Sequence, residues 1–326
     1  MIAVTGGAGF IGSAIAWKLN ELGISDILIV DLPGMERREN LRSLSFQDYL
    51  TKDQFAEALE GGRFGKSLEA IFHLGACSDT TETDWEFLAE NNTGYTRRLA
   101  ESAVARSIRF IYASSAATYG DGSQGYRDDH AGIERLIPLN LYARSKQEFD
   151  VWALRRGLLD HIAGLKYFNV WGPNEYHKGD MRSMVVKGYE QIRDTGLIRL
   201  FKSDRPEWPD GGQDRDFIYI KDAVDMTLFF WRHPEANGIF NVGTGNPTSW
   251  NMLAGALFEA MELPPHIEYV DMPDRLKGKY QYHTCAEMGK LHAAGYAAET
   301  TPFGSAVREY VRDYLAPGAY LTPSSR

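Results

Sequence analysis
A chain of 326 residues, 44% hydrophobic and 24% charged, has the composition of a globular protein large enough for one α/β domain and a smaller companion. Its net charge of −9, with no basic run longer than Arg37-Arg38, argues against a nucleic-acid partner, because a duplex binder needs a basic face to displace counterions. Two cysteines, Cys77 and Cys285, cannot form a disulfide framework, no window approaches the ~18 apolar residues of a membrane span, and the first strand leaves no room for a signal peptide, so a soluble cytoplasmic protein is expected.

Ile2 to Thr5 reads as a short apolar strand. Glycines follow at positions 6, 9 and 12, and a helical pattern starts at Phe10, with Ile15, Leu19 and Leu22 on one face and Gly23 at its end. A glycine-rich turn from strand into helix lets backbone N–H groups approach a pyrophosphate, and the helix N-terminus favours its charge. Gly6, Gly9, Phe10, Ile11 and Gly12 are therefore dinucleotide-binding candidates. Asp31 ends the next strand, Ile27–Val30, where an acid would bond a ribose hydroxyl. Leu32 follows it, and Arg37 and Arg38 offer charge to a 2′-phosphate, unless they are only solvated loop charges.

A strand is predicted over 46–50, a helix over 53–60, a strand over 70–74, a long helix over 84–106 and a strand over 109–113. A helix over 141–156 and a strand over 164–168 complete an alternating pattern, which predicts a doubly wound parallel sheet. Beyond Asn169 the pattern loosens. Helices are expected over 181–195, 250–261 and 305–314, strands over 217–220 and 239–242, and a Pro/Gly/Asp-rich loop over 203–214. The expected division is a dinucleotide-binding domain of residues 1–168 plus 217–243 and a smaller α/β substrate domain of 169–216 plus 244–326.

Tyr142 and Lys146 stand four apart on one helix face, and an ammonium within reach lowers a phenol pKa. On their own they could be a solvated pair; Ser114-Ser115, at the end of the preceding strand, can bond the same substrate oxygen. With the glycine spacing, these residues resemble the extended short-chain dehydrogenase/reductase superfamily, as do Tyr119-Gly120, Tyr167–Pro173, Arg215–Asp222 and Phe240–Gly245. Gly75–Glu82 with Asn91-Asn92, Asn174–Met181 and Leu276–Gln281 narrow the likeness, which runs to about residue 315. Those stretches look like the ADP-glycero-manno-heptose 6-epimerases.

That resemblance implies a nicotinamide cofactor, NADP with NAD possible, and inversion at C6 of an ADP-heptose. It implies Tyr142 and Lys178 as acid/base residues supported by Ser115 and Lys146, with a pyrophosphate clamp as the other reading of Lys178. It also implies cofactor contacts from Lys52, Gly75, Ala76, Cys77, Ser78, Asn92 and Val170, and substrate contacts from Ser78, Ser115, Asn169, Lys178, Asp180, Lys187, Phe201, Arg215 and Tyr280. Cys77 otherwise reads as a packing residue. A homo-oligomer, pentameric by the family's habit, is expected. Asp180, where the family has a small hydroxyl residue, and the long 203–214 loop depart from its pattern. The eight histidines show no metal-ligand spacing, so no metal is expected. A UDP-hexose 4-epimerase is the competing enzyme; Ala116-Ala117 in place of an acidic pair speak against a dehydratase, and the intact Tyr142/Lys146 pair against a non-catalytic dinucleotide sensor.

Overall fold
The computed structural model describes residues 1–273 and 280–324, without the Arg37 side chain. The expected substrate stretch Leu276–Lys279 lies outside those residues, as does whatever the Arg37 guanidinium contacts. In the first half β1 (Ile2–Thr5), α1 (Phe10–Glu21), β2 (Ile27–Asp31), β3 (Asp48–Thr51), α2 (Lys52–Glu60) and β4 (Ala70–His73) alternate, followed by α3 (Trp85–Leu88), α4 (Tyr95–Ala105), β5 (Arg109–Ser115), α5 (Leu141–Arg155) and β6 (Ala163–Tyr167). The remainder holds β7 (Asn169–Trp171), α6 (Met184–Thr195), β8 (Ile198–Phe201), β9 (Asp214–Arg215), β10 (Phe217–Tyr219), α7 (Ile220–Arg232), β11 (Gly238–Val242), β12 (Thr248–Ser249), α8 (Trp250–Ala260), β13 (Ile267–Val270), α9 (Gly289–Ala293) and α10 (Phe303–Glu309).

Seven strands form one parallel sheet in the order β11-β6-β5-β4-β1-β2-β3. Runs such as Ile27–Val30 and Ala70–Phe72 are apolar without alternation because helices cover both faces of a parallel sheet. The strand order reverses between β1 and β4, where the carboxyl ends of neighbouring strands diverge and leave a crevice. Thr5, Asp31, His73 and Ser115 all lie at that edge. Outside this sheet, β8 pairs with β13, β7 with β10 and β9 with β12.

Several helices differ from expectation. The helix predicted over 84–106 widens into π turns at Ala89–Gly94, where Asn92 turns inward to bond Cys77 and Ser145. Asn and Gly are weak helix formers, so little is lost by opening the ladder there. The helix predicted from Met181 starts at Met184 instead, because the Ser183 hydroxyl caps it by accepting the Val186 N–H; Tyr176–Met181 is a 3₁₀ segment. Residues 220–232, beyond the predicted strand, form α7.

Beneath the end of β5 lies a buried ion pair. Lys166 Nζ on β6 donates to Asp150 Oδ2 on α5 at 2.9 Å, and both side chains are 0% exposed. Asp150 also accepts from Tyr112 and Ser114 on β5, at 2.9 and 2.7 Å. The pair thereby pins α5 to two adjacent strands. The C-terminal segment straps the opposite side: Thr322 O accepts from Trp17 Nε1, Leu321 O from Ser43 Oγ, and Ala319 O from Tyr176 OH, while Leu321 N donates to Asn174 Oδ1.

Removing one partner of such a pair strands the other in the interior. Lys166→Met should therefore destabilise the protein by about 3–5 kcal/mol, and Lys166→Met with Asp150→Leu by distinctly less. Urea-unfolding midpoints of the two variants measure the difference.

Candidate active site
The glycine turn is shaped by a backbone contact. Gly6 has φ +65°, and a Cβ on Gly12 would lie 2.1 Å from the Gly6 carbonyl oxygen. Only glycine lets α1 pack down on the turn, so that Gly9 N donates to Gly6 O at 2.9 Å and Ser13 N to Gly9 O at 3.1 Å. Gly9 caps α1 without a side-chain partner and no acid occupies the first turn, so the first N–H groups face outward as a diphosphate cradle. Asp31 holds this shape, accepting from Ala8 N at 2.9 Å and from Leu32 N at 2.8 Å. Leu32 is exposed, and Tyr49 OH donates to its carbonyl at 2.5 Å.

Across the sheet edge, β4 leads into Gly75–Ser78 and β5 into Ser115. Asn92 grips the first of these: Oδ1 accepts from Cys77 N at 2.8 Å, and Nδ2 donates to Cys77 O and to Ser145 Oγ, each at 2.9 Å. Ser145 in turn donates to the Tyr142 carbonyl, so the loop and α5 are one unit. Asn140 caps α5, placing Tyr142 in its first turn and Lys146 one turn on. Lys146 is buried and donates to Ala113 O at 2.8 Å; burial lowers its pKa to about 8, against an opposing pull from Asp150. Ser115 accepts from Ala117 N at 3.1 Å.

The expectation that Lys146 brings the Tyr142 pKa down is corrected. Burial raises it, the nearby Cys77 thiol adds to the rise, and the opposing group is the Ser115 hydroxyl rather than the ammonium. Ser115, Tyr142, Lys146 and Cys77 are nevertheless brought together, since Cys77 acts electrostatically on both the tyrosine and the lysine. Lys52, the remaining expected cofactor contact on this side, reaches Asn91 Oδ1.

From the other side, the 174–181 segment closes over the glycine turn. Asn40 Nδ2 lies 3.2–3.3 Å from the carbonyls of Ala8, Gly9 and Asn174 and from His177 Nδ1. Asn174 takes a left-handed φ of 78° and donates to Ser13 Oγ. Glu175 is fully buried, accepting from Gly172 N, from Ser183 N and Oγ, and from Tyr310 OH. These contacts aim Lys178 back at α1, with Nζ 5.2 Å from the Phe10 ring. Its pKa is lowered, chiefly by burial and also by Lys187, against the Glu175 carboxylate. Thr80 OH meets Met181 Sδ at 3.9 Å, so the 75–82 and 174–181 stretches face one another.

A third cluster lies on β8–β9. The buried Arg215 guanidinium stands 5.2 Å from the Tyr280 ring and 5.8 Å from that of Trp250, and Tyr280 packs edge-on to Phe201. Tyr280 OH accepts from Trp250 Nε1 at 2.8 Å. Burial lowers the Arg215 pKa, and the guanidinium donates to the Asp214 carbonyl. Lys187 Nζ instead donates to the Asp180 carbonyl, and Asp180 and Asn169 are exposed; Val170 lies half-buried on β7. Asn40, Glu175 and His73 were not expected from the sequence. Nothing in a single polar residue announces that it is buried.

The profile of the NAD dependent epimerase/dehydratase family matches residues 2–243. The chain belongs to that family. It is an epimerase that works with a nicotinamide cofactor. A relative from Nitratidesulfovibrio vulgaris, named ADP-L-glycero-D-manno-heptose-6-epimerase, is 54% identical and the match covers 97% of this chain and 98% of that one. One of the same name from Fusobacterium nucleatum is 45% identical, with 97% and 98% covered. Among solved structures, the ADP-L-glycero-D-manno-heptose-6-epimerase of Helicobacter pylori superposes with a TM-score of 0.78 at 25% identity, covering 96% of this chain and 95% of that one. A UDP-glucose 4-epimerase from Thermotoga maritima has the same TM-score at 24% identity, covering 97% and 99%, a likeness of fold alone. The expected family and doubly wound fold are thus borne out. Among the described residues no helix is long and apolar enough to cross a membrane.

The glycine cradle fits a dinucleotide diphosphate, and its closeness sets a test. Gly12→Ala forces a methyl against the Gly6 carbonyl, an overpacking cost of about 1–3 kcal/mol. Calorimetric titration with the nicotinamide cofactor should show that cost as weakened binding.

Proposed function
We propose that the protein inverts C6 of the heptose in ADP-D-glycero-D-manno-heptose to give the L-glycero epimer, through transient oxidation to a C6 ketone. The observation that carries this reading is the convergence of the 75–82 and 174–181 stretches, with Lys178, on the glycine turn. The shared name of the relatives supports it. We read residues 1–168 plus 217–243 as the cofactor half and 169–216 plus 244–326 as the substrate half of a cytoplasmic homo-oligomer, pentameric by resemblance.

The bound nicotinamide supplies the hydride acceptor and donor and, when oxidised, a positive charge that favours a Tyr142 phenolate. Tyr142 would take the O6 proton, and Ser115 would hold the oxygen. Ser115 is the group that opposes the rise of the Tyr142 pKa, and Lys146, one helical turn on, supports the tyrosine as the resemblance implies. Lys178, carried by the 174–181 segment, would donate the proton to the same oxygen in its other orientation. A lysine with a lowered pKa suits that proton transfer. Arg215, with Tyr280 and Phe201, holds the ADP diphosphate and packs against the nucleotide. These roles follow the sequence assignment, and NADP is the favoured cofactor by the family's habit together with the Arg37 and Arg38 charges.

Deuterium placed at C6 should stay there during interconversion of the two ADP-heptoses followed by NMR. Tyr142→Phe and Lys178→Met should each lower kcat by about 10²–10⁴-fold with bound cofactor retained. Label washed into solvent, or turnover of a UDP-hexose without turnover of the ADP-heptose, contradicts the reading.

If Arg37 or Arg38 meets a 2′-phosphate, the double alanine variant should lose about 1.5–3 kcal/mol of NADP affinity per charged hydrogen bond while keeping NAD affinity. Parallel titrations with the two cofactors read this directly.

A further inference from the structure
A buried histidine outside the assigned site lies between β1 and α4. His73, at the end of β4, is 2% exposed and packs between the rings of Tyr95 and Phe110, each 5.7 Å away. Its Nδ1 is 2.7 Å from Thr5 Oγ1 on β1, and its Nε2 is 2.8 Å from Thr96 Oγ1 on α4. Thr96 Oγ1 lies 2.5 Å from Asn92 O, and Gly75 N donates to Thr5 Oγ1 at 3.1 Å.

These contacts determine where the protons are. A threonine hydroxyl has one hydrogen, and that of Thr96 is given to the Asn92 carbonyl. Thr96 can therefore only accept from His73, so Nε2 carries the proton. Nδ1 is then bare and accepts from the Thr5 hydroxyl, which in turn accepts from Gly75 N. The result is a one-directional chain: Gly75 N–H to Thr5, Thr5 to His73, His73 to Thr96, and Thr96 to the π turn at Asn92. An imidazolium would reverse the Thr5 bond and leave that hydroxyl's hydrogen without its acceptor. Burial, with the Lys146 charge, holds the ring pKa down at about 3, in keeping with a neutral ring.

Both ends of the chain reach the reacting groups. Gly75 begins the loop that carries Cys77 and Ser78, and the Gly6 turn lies directly against it. Asn92 grips the same loop from its far side and reaches Tyr142 through Ser145. We propose that His73, locked as the neutral Nε2–H tautomer between Thr5 and Thr96, is a positioning residue that fixes the Gly75–Ser78 loop against the Tyr142/Lys146 helix for hydride and proton transfer. His73 touches no reacting atom. It acts by keeping two pieces of the site in register, and it rests on the reading of Tyr142 and Lys146 given above.

Two measurements on the full-length holoenzyme test this. Nitrogen-15 correlation spectra of labelled histidine should show the His73 ring, identified by its loss in His73→Gln, protonated at Nε2 alone and unchanged from about pH 8 to about pH 5 while exposed rings titrate. A His73 ring protonated at Nδ1, or titrating in that range, overturns the proposal. Thr96→Val removes the hydroxyl with little change of shape. It should lower kcat on the ADP-heptose roughly 10–100-fold with KM and bound cofactor unchanged, as a small misalignment does, and Thr96→Ser should restore it. Full kcat in a folded Thr96→Val variant overturns the positioning role. A parent enzyme silent on ADP-heptose would contradict the proposed function instead, and the nitrogen spectrum would still decide the tautomer.

Discussion

One backbone contact underlies the rest of the site: the Gly6 carbonyl lies where any side chain on Gly12 would begin, 2.1 Å from an ideal Cβ. Because α1 can settle on the turn, the glycine turn at the end of β1 lies against Gly75 at the end of β4. A Cβ on Gly6 would itself lie 2.7 Å from Gly75 N, so the two loops touch backbone to backbone. At the reversal of strand order, Gly6, Gly12 and Gly75 bring backbone against backbone with no side chain between.

Buried polar groups then decide how the second half of the chain meets the first. Asn40 joins the glycine turn to Asn174, Glu175 gathers the 172–183 bend around one carboxylate, and Asp216 does the same for the next crossover. Asp216 accepts from Thr244 N and Oγ1, Gly245 N and Ala286 N, which fixes Arg215 beside it. A buried carboxylate with every lone pair engaged specifies one arrangement, because any slip leaves it unpaired. Burial raises the Glu175 pKa and the hydrogen bonds from Gly172 and Ser183 oppose it, so the bend keeps its carboxylate only while those donors stay in place.

Much of this was legible in the sequence, for a physical reason. Apolar runs such as Ile27–Val30 and Ala70–Phe72 are read directly by a parallel sheet, and three glycines between a strand and a helix suit a backbone that must approach a diphosphate closely. Ser115, Tyr142 and Lys146 were legible because a fixed helical offset and a strand end determine where they point. The π turns were not, since they depend on where Asn92 finds partners in space. Nor was α7, whose onset at Ile220 looks like the continuation of a strand. The pairing of β8 with β13 joins residues about 69 apart, a separation no local pattern encodes. Asn40, His73 and Glu175 were silent because their burial is tertiary. The sign of the Tyr142 shift was misjudged because neighbours were weighed and desolvation was not.

The strap formed by residues 319–322 has a bearing on how the molecule comes into being. Trp17 meets a carbonyl 305 residues further on, and Asn174, which borders the glycine turn, is bonded to Leu321 N. During synthesis the first helix and the bend near Lys178 emerge long before the residues that tie them down. The cradle for the cofactor is thus among the earliest parts made and among the last to be fastened, and a chain cut short by a few tens of residues would keep every proposed reacting group yet lack this fastening.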